Sequence, residues 1–221
     1  MVQKNNDVAS VMILKMALSI AIALLFCSSC GSYPGGSREG GWGRGRDAPL
    51  LYDKFGFPVG GIYPLVTESG FVVEGFDPDL APLVGFSSCS NRNAGRVTLY
   101  LHREALQYFE LMQKEARKAG AQISICSAYR DYHDQKRIKR RYPGKAIDPG
   151  YSEHHLGTTV DLVNVHWNNR EYRWLTGNAH RFGYILTYYR RPELGVGEPN
   201  HWRYVGREAA QTFYNLFGRE Y

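Results

Sequence analysis

One segment restricts the fold of this 221-residue chain more than any other: Ser152-Glu153-His154-His155-Leu156-Gly157-Thr158-Thr159-Val160-Asp161. It sets His154 and Asp161 seven residues apart and follows the aspartate with the apolar pair Leu162-Val163. Val160 to Val165 is β-prone, so Asp161 should project from a strand. Along a continuous strand an odd separation points two side chains to opposite faces. His154 and Asp161 can share a side only if the chain turns between them, and Gly157 permits that turn. Forty residues beyond Asp161, Glu198-Pro199-Asn200-His201-Trp202 supplies a second histidine and a second carboxylate. Pro199 implies that Glu198 stands in a loop while His201 begins a strand, His201 to Val205.

These residue types suit one chemistry. Zinc in a hydrolytic site takes three ligands from His, Asp or Glu and keeps a fourth position for water. His154, Asp161 and His201 form such a set, so the two clusters are expected to meet around one metal ion. Glu198, three positions from a ligand and not needed as one, stands where a general base should be. It would take a proton from the attacking water and pass it to the leaving amine. His155 would serve as ligand if the register slipped; otherwise it is a neighbouring or surface histidine. His102, His133, His166 and His180 read as hydrogen-bonded core or surface residues.

The surrounding sequence predicts an α+β fold. Residues 48–97 read as irregular wrapping with one or two short strands, around Gly70–Val73 and Leu83–Phe86. Arg103 to Ala119 carries an apolar stripe at Ala105, Leu106, Phe109, Met112, Ala116 and Ala119, with Gly120 as C-cap. Gln122 to Tyr129 alternates as a strand and delivers Arg130 at its end. Asp131 to Arg141 reads as a helix, acidic at its start and basic toward its end, with Lys136, Arg137, Lys139, Arg140 and Arg141. That basic end is a solvated helix terminus or a steering patch for an anionic wall polymer or membrane surface. A helix over Arg173–Arg181, a strand over Tyr184–Tyr188, a loop over Glu193–Gly197 and a terminal helix over Arg207–Phe217 complete the series. Without a regular βαβ alternation, the sheet should be largely antiparallel and flanked by helices.

The first 30 residues are read apart from the fold. An apolar run from Met16 to Phe26 follows Lys4 and Lys15, long enough for a signal-peptide core and short for a membrane span. Cys27-Ser28-Ser29-Cys30-Gly31 resembles a bacterial lipobox with Cys30 as the lipidated residue, so the anchor is lipid or helix. The glycine-rich segment 31–47 reads as a linker, which leaves 48–221 as the catalytic domain. The domain is then exported to the cell envelope, where Cys89 and Cys126 could pair. A net charge of +6 favours anionic surroundings, but no nucleic-acid-binding pattern accompanies it.

Several motifs recur in a specific order: Ser127-Ala128-Tyr129-Arg130 with Gln135, Ser152-x-His154-x-x-Gly157-x-Thr159-x-Asp161, Trp174-Leu175, Ala179 to Tyr184, and Glu198-Pro199-x-His201-Trp202-Arg203-Tyr204. Over roughly residues 98–206 the chain resembles the zinc D-alanyl-D-alanine carboxypeptidases of the VanY type, relatives of the Hedgehog N-domain and lysostaphin-like peptidases. The resemblance implies a Hedgehog/DD-peptidase-like fold, one zinc ion at His154, Asp161 and His201, and Glu198 as base. It implies the peptide stem of peptidoglycan as substrate, with Arg130, Gln135 and Ser152 holding its terminal carboxylate or the developing oxyanion. An arginine fork suits a free carboxylate because it makes two parallel hydrogen bonds. An L,D-carboxypeptidase, an L-alanyl-D-glutamate endopeptidase and a non-catalytic zinc-containing wall-binding module are the alternatives. Two positions depart from the pattern: Thr159 stands for the usual alanine, and Asn200 for a tryptophan common in the cleft lining.

Overall fold

Where the sequence carries its apolar stripe, the chain forms a helix. The computed structural model describes residues 51–59, 64–69, 78–84, 98–144, 146–188 and 197–218. Two short strands, β1 (Leu51–Tyr52) and β2 (Pro58–Val59), pair as a hairpin, and β3 (Leu80–Leu83) pairs antiparallel with β4 (Leu99–His102). Helix α1 (Arg103–Lys118) follows and buries Ala105, Phe109, Met112 and Ala116 at four- and three-residue steps. The His102 ring accepts a hydrogen bond from the Glu104 N–H at its start, 3.3 Å. The helix ends one residue earlier than expected, with Ala119 rather than Gly120 as C-cap.

Strand β5 (Ile125–Ser127) is much shorter than the alternation over 122–129, because it can pair only along the four residues of β6 (Thr159–Leu162) and its register shifts midway. Helix α2 (Tyr132–Arg141) is capped by Asp131, whose carboxylate accepts from the Asp134 N–H. A 3₁₀ turn, Glu153–Leu156, leads into β6. Helix α3 (Arg170–Asn178) starts three residues before the expected Arg173, since Asn169 caps it by accepting from the Tyr172 N–H at 2.9 Å. Its expected last turn tightens into a 3₁₀ turn, Ala179–Phe182. Gly183 stops it at a φ of +82°, where a Cβ would sit 2.5 Å from the Tyr204 ring. Strands β7 (Tyr184–Leu186) and β8 (His201–Tyr204) and helix α4 (Arg207–Phe217) complete the described chain.

Strands β5, β6, β8 and β7 lie side by side in that order, each pair antiparallel, so the α+β expectation with an antiparallel sheet holds. The pleat sorts their side chains. Val160, Leu162, Tyr184, Leu186, Trp202 and Tyr204 share one face and join the buried residues of α1 in the main core. Each such side chain contributes ~1.5–3 kcal/mol when fully buried. Tyr184 also donates to the Ala105 carbonyl at 2.7 Å, fastening α1 to the sheet. The opposite face is the polar one. There Ser127 lies opposite Asp161, and Asp161 opposite His201, in one row across three strands.

Of the strands expected in the wrapping, the Leu83–Phe86 run contributes only Leu83, at the end of β3, and Gly70–Val73 lies outside the described residues. The apolar run Met16–Phe26, Cys27, Cys30, the linker 31–47, its boundaries and most of the 193–197 loop also lie outside them. Cys126 is disulfide-bonded, while Cys89 lies outside the described residues. Among the described residues no helix is long and apolar enough to cross a membrane.

Candidate metal centre

Gly157 makes the turn that the seven-residue spacing demands. It closes the 3₁₀ turn in the left-handed conformation, φ +69°, and its N–H donates to the His154 carbonyl at 3.2 Å. The turn sets His154 beside the strand rather than in it, and the His154 Nε2 comes within 3.2 Å of Asp161 Oδ2. From β8, directly across the sheet, His201 brings Nδ1 to 3.1 Å from the other Asp161 oxygen. Ligand atoms of His154, Asp161 and His201 lie within 4.8 Å of one another.

The ring nitrogens pointing away from this meeting place are all engaged. His154 Nδ1 lies 2.6 Å from the Ala128 carbonyl, and only a protonated nitrogen can bond there. Its Nε2 therefore keeps the lone pair that a metal needs. His201 Nε2 lies 3.0 Å from Glu153 Oε2, which leaves Nδ1 for the metal in the same way. His155 has no nitrogen to spare: Nδ1 donates to the Arg130 carbonyl at 2.6 Å, and Nε2 accepts the Gly150 N–H at 3.1 Å. The alternative register with His155 as ligand is thereby excluded, and this histidine instead ties the chain before the 3₁₀ turn to Arg130.

The electrostatics favour a cation. Burial works against charge on Asp161, but His154 and His201 hold its carboxyl well below the usual range. Burial also opposes protonation of His201, yet the Asp161 and Glu153 carboxylates outweigh it and raise the ring to about 10. His154, bonded to a carbonyl on its far side, is pushed down by burial. Two imidazole nitrogens and one carboxylate, with two carboxylates supplying negative charge, fit zinc and leave a further coordination position.

A cleft of about 230 Å³ opens on these donors, lined by Arg130, Gln135, Ser152, Tyr188 and Glu198 among others. Arg130 is fixed by Gln135, which accepts from its Nη1 at 2.7 Å, and by Ser127, which accepts from its Nη2 at 3.1 Å. Gln135 is itself anchored by donating to the Ile147 carbonyl at 2.7 Å. Arg130 Nη2 lies 3.6 Å from Asp161 Oδ2, so its ionic neighbour is the sheet aspartate rather than Asp131 or Asp134. Glu198 precedes β8 in a turn closed by the His201 N–H to Glu198 carbonyl bond, 3.0 Å. Its carboxylate is exposed and 3.7 Å from His201 Nδ1. A larger hollow of about 490 Å³ near Lys54, Glu104 and Arg207 contains none of the three clustered donors.

Every expected site residue thus lines or borders one cleft. Three others were not singled out from the sequence. Glu153 is buried beside His201, Thr187 donates to Glu153 Oε2 at 2.7 Å, and the Tyr188 ring lies 4.4 Å from that of His201. Burial and the Glu153 and Glu198 carboxylates push the Tyr188 phenol well above its ordinary value, so it faces the cleft as a neutral donor.

Comparison with known proteins agrees with this geometry. Residues 98–207 match the family model of VanY, D-alanyl-D-alanine carboxypeptidase. The chain belongs to the VanY family through this domain. A D-alanyl-D-alanine carboxypeptidase of Enterococcus faecalis (strain ATCC 700802 / V583) is 47% identical over 132 residues, 49% of this chain and 49% of that protein. A mutant of the vancomycin-resistance D,D-pentapeptidase VanY from a VanB-type cassette, solved in complex with Zn(II), superposes with a TM-score of 0.51 at 28% identity, covering 68% of this chain and 92% of that one. The LdcB LD-carboxypeptidase superposes with a TM-score of 0.52 at 26% identity, covering 63% and 74%. The fold is therefore the Hedgehog/DD-peptidase-like one. The chain spans about half the length of the curated relatives it matches first. Its VanY-type domain contains all the expected site residues, from Arg130 to His201.

Proposed function

We propose that the chain is a zinc-dependent D-alanyl-D-alanine carboxypeptidase that removes the terminal D-alanine from peptidoglycan stem peptides. One observation carries the reading: the His154–Asp161–His201 group, an exposed carboxylate and a fixed guanidinium share a single cleft. Zinc held by the three donors would polarise the scissile carbonyl and lower the pKa of water to about 7. Arg130, with one hydrogen on each terminal nitrogen already bonded to Gln135 and Ser127, is pre-oriented to meet the free carboxylate of the chain end. Ser152 and the Tyr188 phenol flank the same space and can donate to the substrate. Glu198 takes the proton of the attacking water and returns it to the departing amine. Its exposure leaves it free to move between those tasks.

The likeness to the LdcB LD-carboxypeptidase favours a second reading, the same machinery acting on tetrapeptide stems. Mass spectrometry of defined penta- and tetrapeptide muropeptides, with and without a chelator, separates the two. Loss of one D-alanine from the pentapeptide alone, abolished by chelation, is expected. Cleavage confined to the tetrapeptide selects the second reading, cleavage inside the stem selects an endopeptidase, and binding without cleavage selects a wall-binding module. The apolar run Met16–Phe26, the Cys27–Gly31 segment after it and the glycine-rich segment 31–47 support a membrane-tethered domain outside the cytoplasm, its substrate reached across the linker. Metabolic labelling with a tagged fatty acid that persists in Cys30→Ala would remove the lipid form of that anchor.

A further inference from the structure

His201 is gripped from both sides, and only one of the two contacts belongs to the metal centre. The other is to Glu153, next in sequence to His154 yet turned away from the point where the three donors meet. Both oxygens of this buried carboxylate are committed. Oε2 accepts from Thr187 Oγ1 at 2.7 Å and faces His201 Nε2 at 3.0 Å, while Oε1 accepts from Arg203 Nη1 at 2.9 Å. Arg203, only 1% exposed, donates through Nη2 to Asp53 Oδ2 at 2.5 Å and through Nη1 to the Pro58 carbonyl at 3.2 Å. Asp53 Oδ1 accepts from the N–H groups of Phe55 and Phe57, both at 2.9 Å, and so holds the β1–β2 hairpin closed. A continuous hydrogen-bonded chain runs from that hairpin to the ring of a metal ligand.

The chemistry of imidazole gives this chain a consequence at the metal. A histidine binds a cation through one nitrogen while the other keeps its proton, and the acceptor at the second nitrogen fixes both tautomer and ring plane. A carboxylate acceptor does more than a carbonyl, since its charge makes the ring a stronger donor. The two histidines of the site differ in this respect: His154 has the Ala128 carbonyl, and His201 has Glu153. A buried carboxylate needs a positive partner, and a buried arginine needs its own counter-charge. The order Glu153, Arg203, Asp53 supplies alternating signs. Were the three residues only cement between hairpin and sheet, Arg203 and Asp53 would suffice, and Glu153 would not need to share an oxygen with His201.

We propose that Glu153 is a positioning residue for His201, held in place by Arg203 and Asp53, so that the β1–β2 hairpin helps set the metal affinity of the site. The hairpin lies outside the segment matched by the VanY family, residues 98–207. The proposal rests on the assignment of the metal to His154, Asp161 and His201.

The test uses the full chain and two readouts that do not depend on turnover: zinc affinity by competition with a chromophoric chelator, and the visible absorption of the cobalt-substituted protein. Folding is followed in parallel by circular dichroism. Glu153→Gln should weaken zinc by about 10–100-fold, the usual effect of losing an outer partner of a ligand, and should shift the cobalt bands. Asp53→Asn should act in the same direction by a smaller factor. Thr187→Val keeps every charge and removes one anchor of Glu153; it should weaken zinc several-fold, and it carries the test if Glu153→Gln fails to fold. Folded variants with parent zinc affinity and an unshifted cobalt spectrum overturn the proposal. Parent protein that binds no zinc overturns the metal assignment itself, a separate outcome.

Discussion

Replacing Gly157 by alanine tests the link between backbone and metal centre. The residue sits at φ +69° and ψ 8°, a left-handed conformation that costs a residue with a Cβ ~1–2 kcal/mol. The added Cβ would also stand 2.7 Å from Leu80 Cδ2 and 3.4 Å from Pro78 Cβ. Overpacking of this kind costs ~1–3 kcal/mol, toward the lower end here because the half-buried Leu80 side chain can rotate away. The two contributions together give about 2–4 kcal/mol. The strain falls on a short lever, since Gly157 bonds to the His154 carbonyl through its N–H and accepts the His102 N–H at 2.6 Å. Relaxation of the turn must therefore move His154 relative to Asp161. Urea unfolding in the presence of chelator reads the stability loss, and zinc competition reads the displacement of the ligand. Gly157→Asn should recover part of the backbone cost, because asparagine tolerates the left-handed region, while keeping the contact with Leu80. An alanine variant with parent urea midpoint and parent zinc affinity would refute the reasoning that makes Gly157 the hinge of the site.

Three further outcomes are expected. Glu198→Gln should lower kcat on a pentapeptide by ~10²–10⁴-fold with zinc content unchanged, because the carboxylate lies outside the three donors; zinc loss in step with activity would make it a ligand. Arg130→Lys keeps the charge but loses the fork, and should raise KM by ~10-fold or more with a smaller change in kcat, as steady-state kinetics would show; an unchanged KM contradicts its role at the chain end. His155 predicts acid lability of the metal-free protein. Burial lowers its folded pKa from 6.5 to about 4, so the unfolded chain binds the extra proton between those values. Its contribution is fully present above about 6.5 and is lost as pH falls toward 4. Urea midpoints measured across that window should decline with falling pH, and His155→Gln should flatten the decline.

What could be read from the sequence was whatever depends on local spacing. The stripe of α1, the acidic start and basic end of α2 and the turn at Gly157 are short-range consequences of residue type, and each is found in place, with Asp131 capping α2 rather than opening it. The grouping of His154, Asp161 and His201, the candidate metal donors, was legible for the same reason: two compact motifs, each with its own turn residue, needed only to meet. The strand lengths were less so, because pairing partners decide where a β-prone run ends; β5 keeps three residues of an eight-residue alternation. The network behind His201 left no local signal at all. Glu153 reads as an ordinary charged neighbour of His154, and its burial depends on Arg203, 50 positions away, which in turn meets Asp53 across 150 positions. Only the pleat of β8, which puts His201 and Arg203 on one face and Trp202 and Tyr204 on the other, brings these partners together.

The central claim is that one metal, held by His154, Asp161 and His201, makes this cleft a carboxypeptidase. Its most direct test is to strip the protein of metal and titrate zinc back in, following D-alanine release from a defined pentapeptide stem. Activity should be absent at the start, rise linearly with added zinc and level off at one equivalent per chain. Release of D-alanine at full rate before any zinc is added, or a plateau reached only at two equivalents, would contradict the account.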